Sequence, residues 1–116
     1  MSSTLQRWRG RIALVTGASS GIGRALAEDF GRLGMKVALT GRRADALAAT
    51  ADVVRAAGGE PLTIVGDQAD AHFPPKLFRD VIDQWGAPDL LVNSAAIQGG
   101  KSILTGDWAE IQTALD

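Results

Sequence analysis

Short apolar runs of strand length alternate along this chain with longer segments in which apolar residues recur at helical spacing. The four strand-like runs are Arg11–Thr16, Lys36–Thr40, Leu62–Val65 and Leu90–Asn93. Because a crossover helix returns the chain to the same end of a sheet, strands connected in this way are parallel. Their nearly continuous apolar character indicates that helices cover both faces of the sheet. The alternation therefore predicts a doubly wound α/β fold of the Rossmann type, with three αβα layers and strand order 3-2-1-4.

The segments between the strands are expected to form helices over Gly21–Leu33 and Ala44–Ala57, with a third helix beginning at Pro74-Pro75. Each helix has an apolar stripe that it can bury against the sheet. The stripes comprise Ile22, Leu26, Phe30 and Leu33 in the first helix, Leu47, Ala51 and Val54 in the second, and Leu77, Phe78, Val81, Ile82 and Trp85 in the third. The spacing of Trp108, Ile111 and Leu115 predicts one more helix near the end of the chain.

The composition argues against several classes of function. Lys and Arg number 12 against 13 Asp and Glu, the net charge is −1, and the basic residues do not gather into one tract, so nucleic acid is not an expected partner. The chain has no cysteine, which excludes disulfides, a thiolate nucleophile and a cysteine-based zinc site, and we expect no metal site. No apolar run reaches the length of a signal-peptide core or a membrane span. We therefore expect a cytoplasmic location and no membrane association.

The strongest local motif is the glycine-rich turn between the first strand and the first helix, which reads Thr16-Gly17-Ala18-Ser19-Ser20-Gly21-Ile22-Gly23. Glycine permits backbone angles that a side chain forbids, close approach of the main chain to a phosphate, and tight helix–strand packing. The free N–H groups at the start of the helix favour an anion, and Ser19 and Ser20 add hydroxyl donors. A purely structural tight turn is the alternative. The position at the first strand-to-helix junction favours dinucleotide binding.

The spacing of this turn, G-x-x-x-G-x-G, resembles the T-G-x-x-x-G-x-G motif of the short-chain dehydrogenase/reductase family. Thr16 falls on the threonine of that motif, and Gly17, Gly21 and Gly23 fall on its three glycines. The likeness runs over essentially the whole chain. Loop chemistry and resemblance together give the candidate cofactor-binding residues of the turn as Gly17, Ser19, Ser20, Gly21, Ile22 and Gly23.

The end of the second strand bears on the choice between NAD(H) and NADP(H). An acidic residue about 20 positions beyond the glycines would accept the ribose hydroxyls of NAD, but Leu39–Arg43 (LTGRR) contains no carboxylate. A glycine followed by Arg42 and Arg43 leaves room for a ribose phosphate and supplies forked cationic donors. These residues predict NADP(H) in preference to NAD(H), and the resemblance implies the same for a basic residue at position 42. Two alternatives remain: the arginines form a solvated helix start, or Asp45 reaches the ribose.

Two further segments resemble cofactor-contacting positions of the family. Asp67, followed by Gln68, comes after the third strand, where the resemblance implies a carboxylate that contacts the adenine amino group. Asn93 and Ala95 fall on the family's N-N-A-G segment, in which Ser94 replaces the second Asn and an alanine replaces the Gly. The structural alternatives are that the aspartate only caps or forms a turn and that the asparagine only ends a strand.

The resemblance implies an NADP(H)-dependent oxidoreductase that transfers hydride between nicotinamide and a small alcohol or carbonyl, usually as a homo-oligomer. The tyrosine, lysine and serine that carry this reaction in the family normally lie beyond the end of this chain. The chain has no tyrosine, so we assign no catalytic residue.

Within these residues, Leu90–Asn93 is expected to be a bare sheet edge, which natural sheets cover. We therefore expect residues 1–116 to form a single NAD(P)-binding domain that is incomplete at its carboxyl end and supplies the cofactor-binding half of such an enzyme. The alternatives are a non-catalytic nucleotide-binding module and a truncated homologue.

Overall fold

The structure, a computed structural model, describes residues 3–19, 21–67, 70, 72–94 and 104–106, with only the backbone at 3–5 and 104–106. Its strands are β1 (Ile12–Thr16), β2 (Lys36–Gly41), β3 (Glu60–Val65), β4 (Leu90–Asn93) and β5 (Leu104–Gly106). Its helices are α1 (Ser3–Trp8), α2 (Gly21–Arg32), α3 (Ala44–Ala57) and α4 (Phe73–Trp85). The predicted helix near Trp108 lies outside the described residues.

The five strands form one sheet in the order β3-β2-β1-β4-β5. Strands β1 to β4 are parallel, so the predicted fold class and the order 3-2-1-4 are confirmed. The expectation that β4 is a bare edge is wrong, because β5 pairs with β4 in the antiparallel direction. An antiparallel partner needs only a short connection, whereas a parallel one needs a crossover of a dozen or more residues. β5 therefore runs in the direction opposite to the four parallel strands.

Helices cover both faces of the sheet, as the continuous apolar strands predicted. On one face, Ala13 and Val15 of β1 pack with the buried side of α3 and with Ala27 of α2. On the other face, Ile12 and Leu14 of β1 pack with α4. Successive side chains of a strand point to opposite faces, so each apolar strand serves two cores at once. The sheet is thus held between two layers of helices, and the carboxyl ends of its parallel strands share one edge.

The buried face of α2 differs from the stripe of large apolar residues predicted for it. Gly23, Ala27 and Gly31 are the buried residues of this helix, whereas Ile22 is 48% exposed. The remaining predicted members, Leu26, Phe30 and Leu33, are only partly buried at the side of the core. The reason is close packing, since a β-carbon on Gly31 would lie 2.9 Å from the carbonyl oxygen of Val54 in α3. Only small side chains fit where α2 passes so near its neighbours.

In α4 the predicted stripe is confirmed except at one position. Leu77, Phe78 and Val81 are buried and Trp85 packs partly against them, but Ile82 is 40% exposed. Ile82 lies at the rim of the stripe, where the helix surface turns towards solvent.

The amino-terminal ends of β1 and β4 are joined by a side chain. One carboxylate oxygen of Asp89 accepts a hydrogen bond from the Ile12 amide at 2.9 Å, and the other lies 3.3 Å from the Arg11 guanidinium. An N–H at the start of a strand is thereby satisfied without a further strand partner. This contact lies at the opposite edge of the sheet from the glycine-rich turn and links the two central strands.

Candidate functional site

The glycine-rich turn leads from the end of β1 into α2, and two of its glycines are required by backbone conformation. Gly17 has a φ of 64° and Gly21 a φ of 60°. In this left-handed region a side chain adds about 1–2 kcal/mol of strain. A β-carbon on Gly21 would meet no atom of the described chain within 4 Å, so the outer side of the turn is open. The start of α2, where helix N–H groups have no partner within the helix, thus adjoins an open side of the turn.

The third glycine is required by space. Gly23 is buried, and a β-carbon there would overlap the carbonyl oxygen of Gly17 and lie 2.6 Å from the Ser94 hydroxyl oxygen. The first turn of α2 consequently lies directly against the turn that precedes it. The three glycines thus have the conformational and packing roles expected of a turn that cradles a phosphate group.

The turn is held in place from β2 and α3. The amide of Ala18 donates to the carbonyl oxygen of Thr40 at 3.0 Å. The carbonyl oxygen of Ala18 accepts a hydrogen bond from Thr50 Oγ1 at 2.8 Å, and Thr50 is fully buried in α3. Sequence reasoning missed Thr50. The available signal was a hydroxyl residue at position 50, beside Leu47 and Ala51 on the buried side of that helix.

The end of β4 holds the turn from the other side. The Ser94 hydroxyl donates to the carbonyl oxygen of Thr16 and lies 3.3 Å from that of Gly17. Ser94, which replaces an asparagine of the family motif, therefore still makes a local hydrogen bond to the turn. The turn is therefore hydrogen-bonded on both sides, to β2 and α3 through Ala18 and to the end of β4 through Thr16.

A row of polar side chains crosses the central strands where they end. Thr16 is in register with Thr40 on one side and with Asn93 on the other, so the three side chains share one face of the sheet. Thr16 Oγ1 donates to Asn93 Oδ1 at 2.7 Å. Within the described part of the chain, the buried hydroxyl of Thr40 has no hydrogen-bond partner. The two threonines therefore differ in what their hydroxyl groups contribute.

Replacement of each threonine by valine is expected to change stability in opposite directions. Thr16→Val leaves the Asn93 amide oxygen without its donor and should lower the free energy of unfolding by about 1–2 kcal/mol. Thr40→Val removes a buried hydroxyl and should raise it by up to about 1 kcal/mol. Urea unfolding of both variants measures the two changes. A destabilised Thr40→Val protein would show that this hydroxyl is hydrogen-bonded after all.

Arg42 and Arg43 are both exposed where β2 meets α3, but they have different surroundings. The Arg43 guanidinium lies 3.6 Å from the Asp45 carboxylate, and both side chains are largely exposed. Across the described ranges, Arg42 forms no ion pair, and its neighbour Gly41 carries no side chain. Exposed pairs are weak, yet this one offsets part of the charge of the Asp45 carboxylate. Of the two arginines, Arg42 is therefore the one whose charge has no carboxylate partner among the described residues.

The end of β3 lies beside the end of β2. The Gly66 amide donates to the carbonyl oxygen of Gly41 at 3.0 Å, and exposed Asp67 follows at once. Asp67 is therefore at the same edge of the sheet as the glycine-rich turn and Arg42. Of the other predicted site residues, Ser20, Gln68 and Ala95 lie outside the described residues. The predicted site residues that the structure describes all lie at this one edge of the sheet: Gly17, Ser19, Gly21, Ile22, Gly23, Arg42, Arg43, Asp67 and Asn93.

The chemistry of this edge suits an anion with two separate negative groups. The start of α2 offers free N–H groups and the positive end of its dipole, and Arg42 offers a guanidinium at the end of the next strand. In open α/β sheets, ligands bind outside the carboxyl ends of the strands, which is where these groups lie. The described residues contain no group of three or more His, Asp or Glu side chains placed to hold a metal ion. None of the described helices combines the length and apolarity that crossing a bilayer requires.

A comparison with models of known protein families identifies the family of this chain. The family model described as short chain dehydrogenase matches residues 11–116. The chain belongs to the short-chain dehydrogenase family. Membership in this oxidoreductase family confirms the resemblance inferred from the glycine-rich turn.

Relatives in sequence and structure agree with that assignment. The chain is 35% identical over 106 residues to 11-beta-hydroxysteroid dehydrogenase-like 2 of Arabidopsis thaliana, covering 90% of this chain and 34% of the relative. It superposes with a TM-score of 0.73 and 32% identity on L-sorbose reductase from Gluconobacter frateurii complexed with NADPH and L-sorbose, covering 81% of this chain and 36% of that one. A family member from Burkholderia phymatum in complex with NAD gives a TM-score of 0.68 and 38% identity, covering 72% and 30%. The chain spans about a third of the length of these relatives.

Proposed function

We propose that the chain binds a nicotinamide dinucleotide at the carboxyl edge of its sheet, and that it prefers NADP(H) to NAD(H). The observation that carries the preference is the contrast between the two arginines after β2. Arg43 lies beside Asp45, whereas Arg42 stands next to Gly41 with no ion pair among the described residues. The sorbose reductase it resembles was solved with NADPH and the Burkholderia phymatum relative with NAD. The relatives therefore support a dinucleotide, and the choice between the two rests on this chain's own residues.

Each part of the edge has a role in this proposal. The backbone of Gly17–Gly23 cradles the pyrophosphate, because its glycines allow close approach and its helix start offers N–H donors. Exposed Ile22 lies at the open side of the turn and contacts the bound cofactor. Asp67 and Gln68 contact the adenine, while Asn93 and Ala95 lie along the cofactor beside the turn. Ser19, Ser20 and Arg43 complete the polar lining around the phosphate groups.

The reaction that this cofactor supports is hydride transfer between nicotinamide and a small alcohol or carbonyl compound. The described residues bind and orient the dinucleotide, and we assign none of them to proton transfer. This chain supplies the cofactor-binding half of the enzyme, as a single NAD(P)-binding domain. A non-catalytic nucleotide-binding module is the alternative, and it would bind NADPH without oxidising or reducing any member of an alcohol and carbonyl panel.

The proposal is tested by removing one arginine at a time. Arg42→Ala should weaken NADPH binding about 10–100-fold, because a charge-assisted hydrogen bond contributes about 1.5–3 kcal/mol, and should change NADH binding less than about threefold. Arg43→Ala should have a smaller effect, because its guanidinium already lies beside Asp45. Isothermal titration calorimetry with both cofactors gives the two dissociation constants.

Arg79→Ala is the matched control, since Arg79 is exposed on α4, away from the carboxyl edge. Equal losses of NADPH and NADH binding in Arg42→Ala would overturn the preference for NADP(H). Failure of the unaltered protein to bind either cofactor would overturn the proposed function itself. As a second readout, a ligand at 100 times its dissociation constant should stabilise the folded protein by about 2.7 kcal/mol.

Two wider proposals accompany this function. The absence of cysteine suits a reducing compartment, and we infer a cytoplasmic location, which cell fractionation tests. By family resemblance we also infer that the enzyme forms a homo-oligomer, which light scattering after size-exclusion chromatography tests.

A further inference from the structure

Gly41, the last residue of β2, is a glycine for reasons of space. Its φ is not positive, so its backbone conformation is open to any residue. A β-carbon on Gly41 would nevertheless overlap the Ser19 hydroxyl oxygen, and it would lie 3.5 Å from Leu47 Cδ2. The side chain of Ser19 therefore rests directly on the backbone of Gly41. A side chain at position 41 and the present position of the Ser19 hydroxyl exclude each other.

The position of Ser19 is set by its neighbour Ala18, which is bonded through both of its backbone polar groups. The Ala18 amide donates to the Thr40 carbonyl oxygen at 3.0 Å, and its carbonyl oxygen accepts from Thr50 Oγ1 at 2.8 Å. The Thr50 hydroxyl also lies 3.2 Å from the Ala46 carbonyl oxygen. A hydroxyl has one proton to donate, so the shorter contact, to Ala18, is the main one. Thr50 thus ties the turn to α3.

This arrangement brings the Ser19 hydroxyl next to the start of Arg42. The side chain of Ser19 is half-buried and makes no hydrogen bond within the described ranges, so its proton is available to a ligand. Arg42 follows Gly41 directly in the chain, so a guanidinium donor and the Ser19 hydroxyl both belong to residues that adjoin the bare backbone of Gly41. Together they suit a phosphate group placed above that glycine.

We propose that Thr50 is a positioning residue for cofactor choice: by holding Ala18 it keeps the Ser19 hydroxyl over Gly41, where Ser19 and Arg42 together recognise the ribose phosphate of NADP(H). The inference rests on the proposed function and adds Ser19 and Thr50 to Arg42 as determinants of the preference. It also explains the glycine at position 41, since an acidic side chain that would favour NAD(H) has no room there while Ser19 is in place.

The experiment measures dissociation constants for NADPH and NADH in Thr50→Val, Thr50→Ser and Gly41→Ala proteins. Thr50→Val should weaken NADPH binding about tenfold and NADH binding less than about twofold, and Thr50→Ser should restore NADPH binding to within about twofold of the unaltered protein. Gly41→Ala forces the Ser19 hydroxyl to rotate away and should give the same selective loss without any change of charge. Thr63→Val, at an exposed position in β3, is the matched control and should leave both constants unchanged.

Equal weakening of NADPH and NADH in Thr50→Val, or no rescue by serine, would overturn the positioning role. A double-mutant cycle of melting temperatures, which needs no cofactor, tests the contact between Ser19 and Gly41 separately. Gly41→Ala should lower the melting temperature less in a Ser19→Ala background, where the overlapping oxygen is absent. Equal shifts in both backgrounds would overturn the contact. Failure of the unaltered protein to bind either cofactor, together with a positive packing cycle, would instead locate the error in the proposed function.

Discussion

Gly23→Ala is expected to abolish detectable binding of nicotinamide dinucleotides and to lower the free energy of unfolding by about 3 kcal/mol. The new β-carbon would overlap the Gly17 carbonyl oxygen and lie 2.6 Å from the Ser94 hydroxyl. The Ser94 side chain can rotate, but the Gly17 backbone is fixed between Thr16, which is paired with β2 and β4 in the sheet, and Ala18, whose amide is bonded to Thr40. The start of α2 must therefore move away from the turn. Its N–H groups then no longer converge on the pyrophosphate.

Calorimetric titration and urea unfolding check both parts of this prediction, with a loss of NADPH affinity of at least about 100-fold as the threshold. Gly10→Ala is the control, because Gly10 has a φ of 77° and a β-carbon there meets nothing within 4 Å. It should show only backbone strain of about 1–2 kcal/mol and unchanged cofactor binding. A Gly23→Ala protein that binds NADPH normally would show that close packing of α2 on the turn is not needed for the site.

The central strands were predictable from the sequence because a strand that is buried on both faces is a continuous apolar run. The helix α3 was predictable from the helical spacing of its apolar residues. β1, β2 and β4 follow such runs within a residue, and Leu47, Ala51 and Val54 are buried on α3 as their spacing indicated. β3 begins earlier than predicted, at Glu60. It is an edge strand of the sheet, so polar Glu60 and the donor-free nitrogen of Pro61 are tolerated there.

The errors have physical causes of two kinds. The periodicity of large residues misplaced the buried face of α2, because close packing selects glycine and alanine over leucine and phenylalanine at a contact. The second cause of error is contact between residues that are distant in sequence. Neither the pairing of β5 with β4 nor the Thr50 hydrogen bond to Ala18 is encoded in a local motif.

The candidate site was more predictable than the packing around it. The spacing of Gly17, Gly21 and Gly23 identified the turn, since each glycine answers a local requirement of backbone angle or space. The difference between Arg42 and Arg43 was not available from the sequence. It depends on the side chain of Asp45, which turns back towards Arg43 at the start of α3.

Gly59→Ala is expected to destabilise the protein as strongly as Gly23→Ala, by about 3 kcal/mol, while leaving the affinity for NADPH within about twofold. A β-carbon on Gly59 would lie 2.7 Å from the Gly31 Cα and 2.9 Å from the Met35 carbonyl oxygen. Both are backbone atoms, so no side-chain rotation can relieve the contact, and α2 must separate from the start of β3. This contact is at the amino-terminal edge of the sheet, opposite the glycine-rich turn.

The adjacent Gly58 provides the matched control. Gly58 ends α3 with a φ of 113°, and a β-carbon there would lie 3.7 Å from the Gly31 carbonyl oxygen, which is ordinary contact. Gly58→Ala should therefore show strain of about 1–2 kcal/mol and no overlap. Urea unfolding separates the two variants, and titration at a temperature where both are folded gives their affinities. If Gly59→Ala were no more destabilising than Gly58→Ala, the close approach of α2 and β3 would be incorrect. If Gly59→Ala lost NADPH binding in proportion to stability, the two edges of the sheet would not be independent, and the losses in Gly23→Ala could no longer be attributed to the turn.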